Sequence, residues 1–291
     1  MKTFVVLFFA LLVFFHASAQ VSMELALDQE QFLPGENIPV AVKITNQSGQ
    51  QMHLGAEDNW LTFNVEAVDG FVVVKNAEVP VVGEFDLESS QLGIKHVDLA
   101  PYFQVSKPGR YKITATLRIK QWSQQMTSAP KSFDVINGAE LWSQDFGVPS
   151  GTNAPPEVRK YTLVEANYLR DQLRLYLRVS DGIGSQVIRV TTLGAMVSFS
   201  QPQAQVDRTS QLHVLWQTGA QLFNYCIISP DGVVAQRELY DIGNIRPRLT
   251  VNDRGDVLVN GGVRRPKPTD LPAVMPVVKM PNDLPAVPAK P

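Results

Sequence analysis

Period-two alternation, closely spaced turn signals and a segment that recurs at a fixed offset predict an all-β fold of two modules followed by a proline-rich tail. Alternation is clearest in "YKITATLRI", where Tyr111, Ile113, Ala115, Leu117 and Ile119 share one face. Pro34-Gly35, Asp69-Gly70 and Asn137-Gly138 are turn pairs. "PQAQVDRTSQLHVLW" from Pro202 is echoed by "PRLTVNDRGDVLVNG" from Pro247. Pro202, Val206, Leu212 and Val214 are matched there by Pro247, Val251, Val257 and Val259, at an offset of 45.

The chain of 291 residues opens with Lys2, an apolar run from Phe4 to Phe15, and Ala17-Ser18-Ala19. A charged start, an apolar core of this length and a small-x-small site predict a signal peptide over 1–19. The run is too short for a bilayer, which needs about 20 residues. The mature chain is expected to begin at Gln20 and to be exported, to the periplasm, the cell surface or outside, with no later membrane span. Cys226 is the only cysteine, so the exported fold must be held by its core without an internal disulfide. In "FNYCIIS" it reads as a small buried hydrophobe.

The first module, 20–137, offers the strands "MELALD", "IPVAVKIT", "MHLG", "WLTFNVEAV", "FVVVK", "IKHVDL", "YKITATLRI" and "KSFDVI". Asp69-Gly70 predicts a two-residue hairpin between the fourth and fifth. That many short strands without an amphipathic helix fit an immunoglobulin-like sandwich. "FLPGENIPVAVKITNQSG" and "KPGRYKITATL" resemble the Ig-like modules of bacterial surface proteins. They also resemble macroglobulin domains and domains related to a bacillar proteinase inhibitor. In those families a Pro-Gly turn opens the second strand and a Gly-x-Tyr turn the penultimate one, as Pro34-Gly35 and Gly109-Arg110-Tyr111 would here. The resemblance covers Val21 to Ile136 and implies fold more than function.

The second module, 138–265, carries the recurrent segment, and a fainter copy lies upstream, where "DQLRLYLRV" matches "SQLHVLWQT" at an offset of 39. Repeats of this length resemble propeller blades. Only about three such units fit, whereas a propeller closes with about four or more. Either the units stack as an open sheet or sandwich, or copies from two chains complete the ring, or the module is simply a β-sandwich with a recurring hairpin. Leu212, Val214 and Trp216 are expected on one face, with Phe223, Tyr225 and Ile227 together on the next strand. "SPDGVV" lacks the Thr-Trp that ends the Asp-box of secreted sialidase-type propellers. Residues 266–291 hold eight prolines, no glycine and "DLPAV" twice, a composition that predicts a disordered tail.

Charge separates the modules. Residues 20–137 carry 14 acidic and 9 basic side chains, seven of the latter lysine, whereas 138–265 carry 12 and 13, with twelve arginines. Neither balance predicts nucleic-acid binding. His53, His96 and His213 are isolated in sequence, and His213 alternates outward toward solvent. No metal, cofactor or catalytic motif is present. Glu57-Asp58 before Trp60 reads as a turn cap. The candidate ligand-binding residues are Arg246 and Arg248, turn guanidiniums able to grip carboxylates, and Trp122, an exposed ring for a sugar. Trp60, Trp142 and Trp216 read as buried anchors. The function expected is that of a secreted, non-catalytic binding or scaffolding protein of the cell envelope, with a glycan or an envelope protein as partner. The alternatives are a glycan-processing hydrolase with a partial propeller and a proteinase inhibitor acting through the first module. Oligomeric state is left open.

Overall fold

The computed structural model describes residues 21–148, 157–169, 172–267 and 270. The expected signal peptide over 1–19 and the sequence beyond 270 lie outside them. So does 149–156, most of the loop "GVPSGTNAPPE". The described residues form several β-sheets with no closed barrel. No helix among them is long and apolar enough to cross a membrane.

Two sheets enclose the core of the first region. β1 (Val21–Leu27), β3 (Pro39–Asn46) and β7 (Leu92–Asp98) form one antiparallel sheet in the order β1-β3-β7. Facing it are β2 (Gln31–Phe32), β10 (Lys131–Val135), β8 (Gly109–Ile119) and β5 (Leu61–Ala67), in the order β2-β10-β8-β5. β9 (Gln124–Thr127) adds to β8, and β4 (Met52–Leu54) pairs with β6 (Phe85–Leu87) beside the sheets. Alternation works as the sequence predicts: Tyr111, Ile113, Ala115, Leu117 and Ile119 are all buried, against Val40, Val42 and Ile44. Each of the valines, leucines and isoleucines contributes roughly 1.5–3 kcal/mol when fully buried. Trp60 is an anchor, its Nε1 donating to Val81 O at 2.8 Å.

One expected hairpin does not form. "FVVVK" is extended but joins no sheet beyond a single bridge from Lys75 to Phe103. A two-residue type I′ turn needs positive φ at both central residues, yet only Gly70 adopts it, at 86°. The chain instead closes a β-turn one residue earlier, with Val68 and Asp69 central and Gly70 N donating to Ala67 O. Val68 N donates to Arg110 O and so extends the β5–β8 ladder.

The second region is a stack of layers. β11 (Ala139–Val148), β12 (Glu157–Leu169), β13 (Gln172–Asp181) and β14 (Val187–Ala195) form an antiparallel meander in chain order. β15 (Gln203–Val206), β16 (Leu212–Gln217), β17 (Leu222–Ile228) and β18 (Val234–Asp241) form another, edged by β21 (Val263–Arg264). β19 (Arg248–Val251) and β20 (Val257–Asn260) make a separate hairpin. The meanders share a core of Tyr161, Leu163, Leu175, Leu177, Leu212, Val214, Trp216 and Cys226. On the other side of the second meander, Leu215, Phe223 and Tyr225 pack against Leu249 and Val259 of the hairpin.

The sequence recurrence at offset 45 is a recurrence of structure. β15–β16 and β19–β20 are hairpins of matched register, Val206 opposite Leu212 and Val251 opposite Val257. Their turns use the same chemistry. Asp207 Oδ1 accepts from Thr209 N and Gln211 N at 2.8 and 2.9 Å, and Asn252 Oδ1 accepts from Arg254 N and Asp256 N at 3.0 and 2.8 Å. Such side-chain-to-backbone bonds are what Asp and Asn bring to turns. Ser210 and Gly255 hold the matching left-handed positions, with φ of 62° and 79°.

Strand pairing never crosses Asn137-Gly138 among the described residues. Side-chain packing does. Leu33 and Ile136 from the first region join Val164, Ala166, Tyr176 and Val190 on the outer face of the first meander.

Candidate functional site

The join is set by the turn "LPGE". Pro34 supplies a fixed φ and Gly35 a positive one, 83°, and Glu36 N donates to Leu33 O at 3.0 Å. The Glu36 side chain folds back on this turn. Its Oε2 accepts from Leu33 N at 2.8 Å and its Oε1 from Gln29 Nε2 at 2.9 Å. Glu36 is only 7% exposed, and this burial pushes its carboxyl above the ordinary glutamate range, against the bonds from Leu33 and Gln29 and the field of Arg174.

The opposite wall comes from the first meander. Alternation on β13 sends Leu175 and Leu177 into the shared core and turns Arg174 and Tyr176 toward the first region. Tyr168 OH donates to Asp28 O at 2.9 Å, a bond between the two regions. The Arg174 guanidinium lies 3.2 Å from the centroid of the Tyr168 ring. Arg174 Nε is buried without a hydrogen-bond partner among the described residues.

These groups border a cleft of about 440 Å³, lined among others by Asp28, Gln29, Glu36, Tyr168, Arg174 and Thr192. That volume lies in the ~300–1,000 Å³ range of small-molecule sites. A smaller hollow of about 180 Å³, bordered by Pro34, Asn137 and Arg178, lies on the other flank of Leu33. The cleft supplies amide donors, the guanidiniums of Arg174 and Arg189 and carboxyl oxygens, a set suited to holding a polar ligand.

The residues singled out in the sequence lie elsewhere. Arg246 is committed: its Nη2 donates to Ser200 Oγ at 2.8 Å and Gln217 Oε1 at 3.0 Å, with its guanidinium 5.0 Å from the Phe223 ring centroid. Arg248 is exposed on β19. Trp122 is half-buried against the first core, in the short 3-10 turn Lys120–Trp122, beside a surface hollow bordered by Arg118, Lys120 and Gln124. None of the three lines the cleft. Glu57 does close a turn, through Trp60 N to Glu57 O, and it also pairs with Lys120.

Two histidines are corrected by the structure. His213 does not face solvent: it is 5% exposed, because the β19–β20 hairpin covers that face of β16. It is not isolated either, lying 2.7 Å from Tyr225 OH through Nδ1 and 3.2 Å from Asp207 Oδ2 through Nε2. His53 faces Asp86 at 2.7 Å and Glu84 at 3.6 Å, and its hydrogen bond to Asp86 raises its pKa. Among the described residues no three potential ligands converge on a metal-sized space. Cys226 is fully buried, and burial pushes its thiol to about 11, so it is an inert core residue.

Sequence reading missed Gln29, Glu36, Tyr168 and Arg174 because the cleft joins strands about 140 residues apart, as the bond from Tyr168 to Asp28 shows. The one available signal was local, a glutamate closing a Pro-Gly turn.

No protein-family model matches this chain, and no curated protein does. Among solved structures it is similar to Spo0M, a sporulation control protein from Bacillus subtilis. Identity is 10%, over 60% of this chain and 91% of that one, with a TM-score of 0.32. So loose an overlap carries no argument about fold or function.

Proposed function

We propose that this chain is an exported, non-catalytic binding or scaffolding protein of the cell envelope, and that the cleft between its two β regions is where it binds. The observation that carries this reading is the construction of the cleft. Its walls belong to different regions, fixed to each other by the Leu33–Tyr176 cluster and the Tyr168–Asp28 bond. A site whose polar groups are already held in place loses little freedom on binding. Both Glu36 oxygens are engaged, one by Leu33 N of its own turn and one by the Gln29 amide, which argues for a structural carboxyl and against an acid held ready for hydrolysis. The leader at Phe4–Phe15 supports export.

The finer architecture follows the same reading. The first region is an immunoglobulin-type sandwich, supported by Tyr111, whose OH donates to Lys107 O at 2.6 Å. A tyrosine bonded to backbone a few residues upstream is a corner device of such sandwiches. The second region is an open stack of blade-like units: two four-stranded meanders and a terminal hairpin, face against face.

The test is sedimentation of the mature protein with isolated envelopes of the producing cell, using Asn37→Trp to fill the mouth of the cleft. Asn37 lines the cleft and is exposed, so the fold should tolerate the ring. Loss of co-sedimentation with an unchanged melting temperature supports the reading. Undiminished binding by Asn37→Trp removes the cleft from it.

A further inference from the structure

Resting on the reading of the cleft as a binding site, we propose that its ligand is a sugar acid, a uronate residue of an acidic glycan, with Arg174 taking the carboxylate. Several arginines of this region are matched to carboxylates of the chain. Arg159 meets Glu157 and Asp231, Arg264 meets Glu238 and Asp270, and Arg265 meets Asp241, all within 2.7–2.9 Å. Arg174 differs. Among the described residues Arg174 makes no ion pair within 4.0 Å, although it lines the 440 Å³ cleft. Glu36 lies close enough to feel its charge, but both Glu36 oxygens are bonded to Gln29 and Leu33.

The geometry points to a planar anion. The guanidinium is stacked on Tyr168, whose hydroxyl is tied to Asp28 O, so its plane is set before any ligand arrives. With Nε covered and unbonded, the terminal nitrogens are left for a carboxylate, which they can grip end-on through two parallel bonds. Around them stand Gln29, Asn37, Thr192 and Asp28, short donors and acceptors of the kind that read ring hydroxyls. A bare carboxylate would leave these groups unused, and a neutral sugar would leave Arg174 unpaired. A uronate satisfies both sets.

Isothermal titration of the mature protein decides the matter with three probes: an oligoglucuronate, the same oligosaccharide after carboxyl reduction, and a tripeptide with a free C-terminal carboxylate. The oligoglucuronate is expected to bind, with carboxyl reduction and Arg174→Gln each weakening it at least tenfold. Arg174→Lys, which keeps the charge and the aliphatic stem, should recover only part of the loss, and Arg248→Gln should change nothing. Circular dichroism melts on each variant separate lost binding from lost folding. Equal binding of the reduced glycan, or full affinity in Arg174→Gln, overturns the sugar-acid assignment. If Asn37→Trp still blocks that binding, the cleft stands and only its ligand class falls. Binding of the tripeptide in preference to the glycan also overturns it. Absence of any glycan binding, together with envelope binding that Asn37→Trp leaves intact, overturns the assignment and the cleft with it.

Discussion

β8 in the first region and β16 in the second are both central strands rich in β-branched and aromatic residues, yet they are buried differently. β8 alternates, with Tyr111, Ile113, Ala115, Leu117 and Ile119 inside and residues such as Lys112 and Arg118 outside. In β16 all six residues from Leu212 to Gln217 are buried. The difference is one of layers. A sheet that closes one side of a single core keeps a wet face, whereas a sheet in the middle of a stack has none. Polar residues on such a strand must then find partners. Gln217 does, donating to Gly219 O and Ala220 O and accepting from Arg246, and His213 does so with Tyr225 and Asp207. Stacking therefore raises the stakes at each position of β16.

The largest effect should come from the shared core. Trp216 is 1% exposed and its Nε1 donates to Ala195 O at 3.0 Å, so it ties both meanders together. Trp216→Ala is expected to cost about 3–5 kcal/mol, read from urea unfolding. Ala115→Gly on β8 should cost far less, since it removes one methyl. If Trp216→Ala melts with the wild type, the ring does not bear on the stack.

Next comes the covered face. His213→Leu keeps the bulk but leaves Tyr225 OH and Asp207 Oδ2 without their partner, a loss of roughly 1–3 kcal/mol. It also has a pH signature. Burial pushes the Asp207 carboxyl up, but hydrogen bonds from Thr209, Gln211 and His213 outweigh it, so its pKa in the folded protein is lowered. A depressed carboxyl contributes stability above its unfolded pKa of about 3.9, and that stability is lost as pH falls through the folded value. Asp207→Asn should flatten the acid side of the stability profile. Glu36 has the opposite sign: its raised pKa means stability highest below about 4.3 and lost as pH rises through the folded value, so Glu36→Gln should flatten the profile on the neutral side. A matching slope in both variants would contradict these environments.

How far the sequence reveals this contrast depends on the range of the interaction. Alternation on β8 and on β16 was legible because it depends on neighbours two residues apart. The repeat was legible too: Pro202 and Pro247 start segments that fold into hairpins with the same turn chemistry. What lies on the second face of a strand is not written in its period. His213 reads as outward because a polar residue between Leu212 and Val214 has no local reason to be covered, and only the hairpin from Arg248 to Asn260 covers it. The cleft was illegible for the same reason, since Glu36 and Arg174 meet only once two regions are docked. Asp69-Gly70 failed differently, as a strong local signal outcompeted by the ladder between β5 and β8.

The join between the regions can be tested at Gly35. Its φ of 83° is left-handed, and a Cβ there would lie 2.8 Å from Val187 Cγ1 on β14. Gly35→Ala should therefore cost about 1–3 kcal/mol in backbone strain alone, with added crowding at the docking surface. Two melting transitions in place of one would show the regions coming apart. A single unchanged transition would mean that neither strain nor crowding at this contact matters.

The smallest effects separate two arginines that the sequence treats as a pair. Arg246 and Arg248 flank Pro247 as equivalent turn residues, but only Arg246 reaches across the stack, to Ser200 and to Gln217 at the end of β16. Losing it frees a buried amide oxygen of Gln217, so Arg246→Gln is expected to cost about 1 kcal/mol. Arg248 stands exposed on β19, and Arg248→Gln should stay within about 0.5 kcal/mol of the wild type. The ordering is the sharp part of this prediction, because the two substitutions are chemically identical and two residues apart. It follows from the stack, which gives a polar group at the rim of β16 a partner to lose and gives the outermost hairpin none. Equal costs in denaturant titration would mean that the end of β16 is sealed without Arg246.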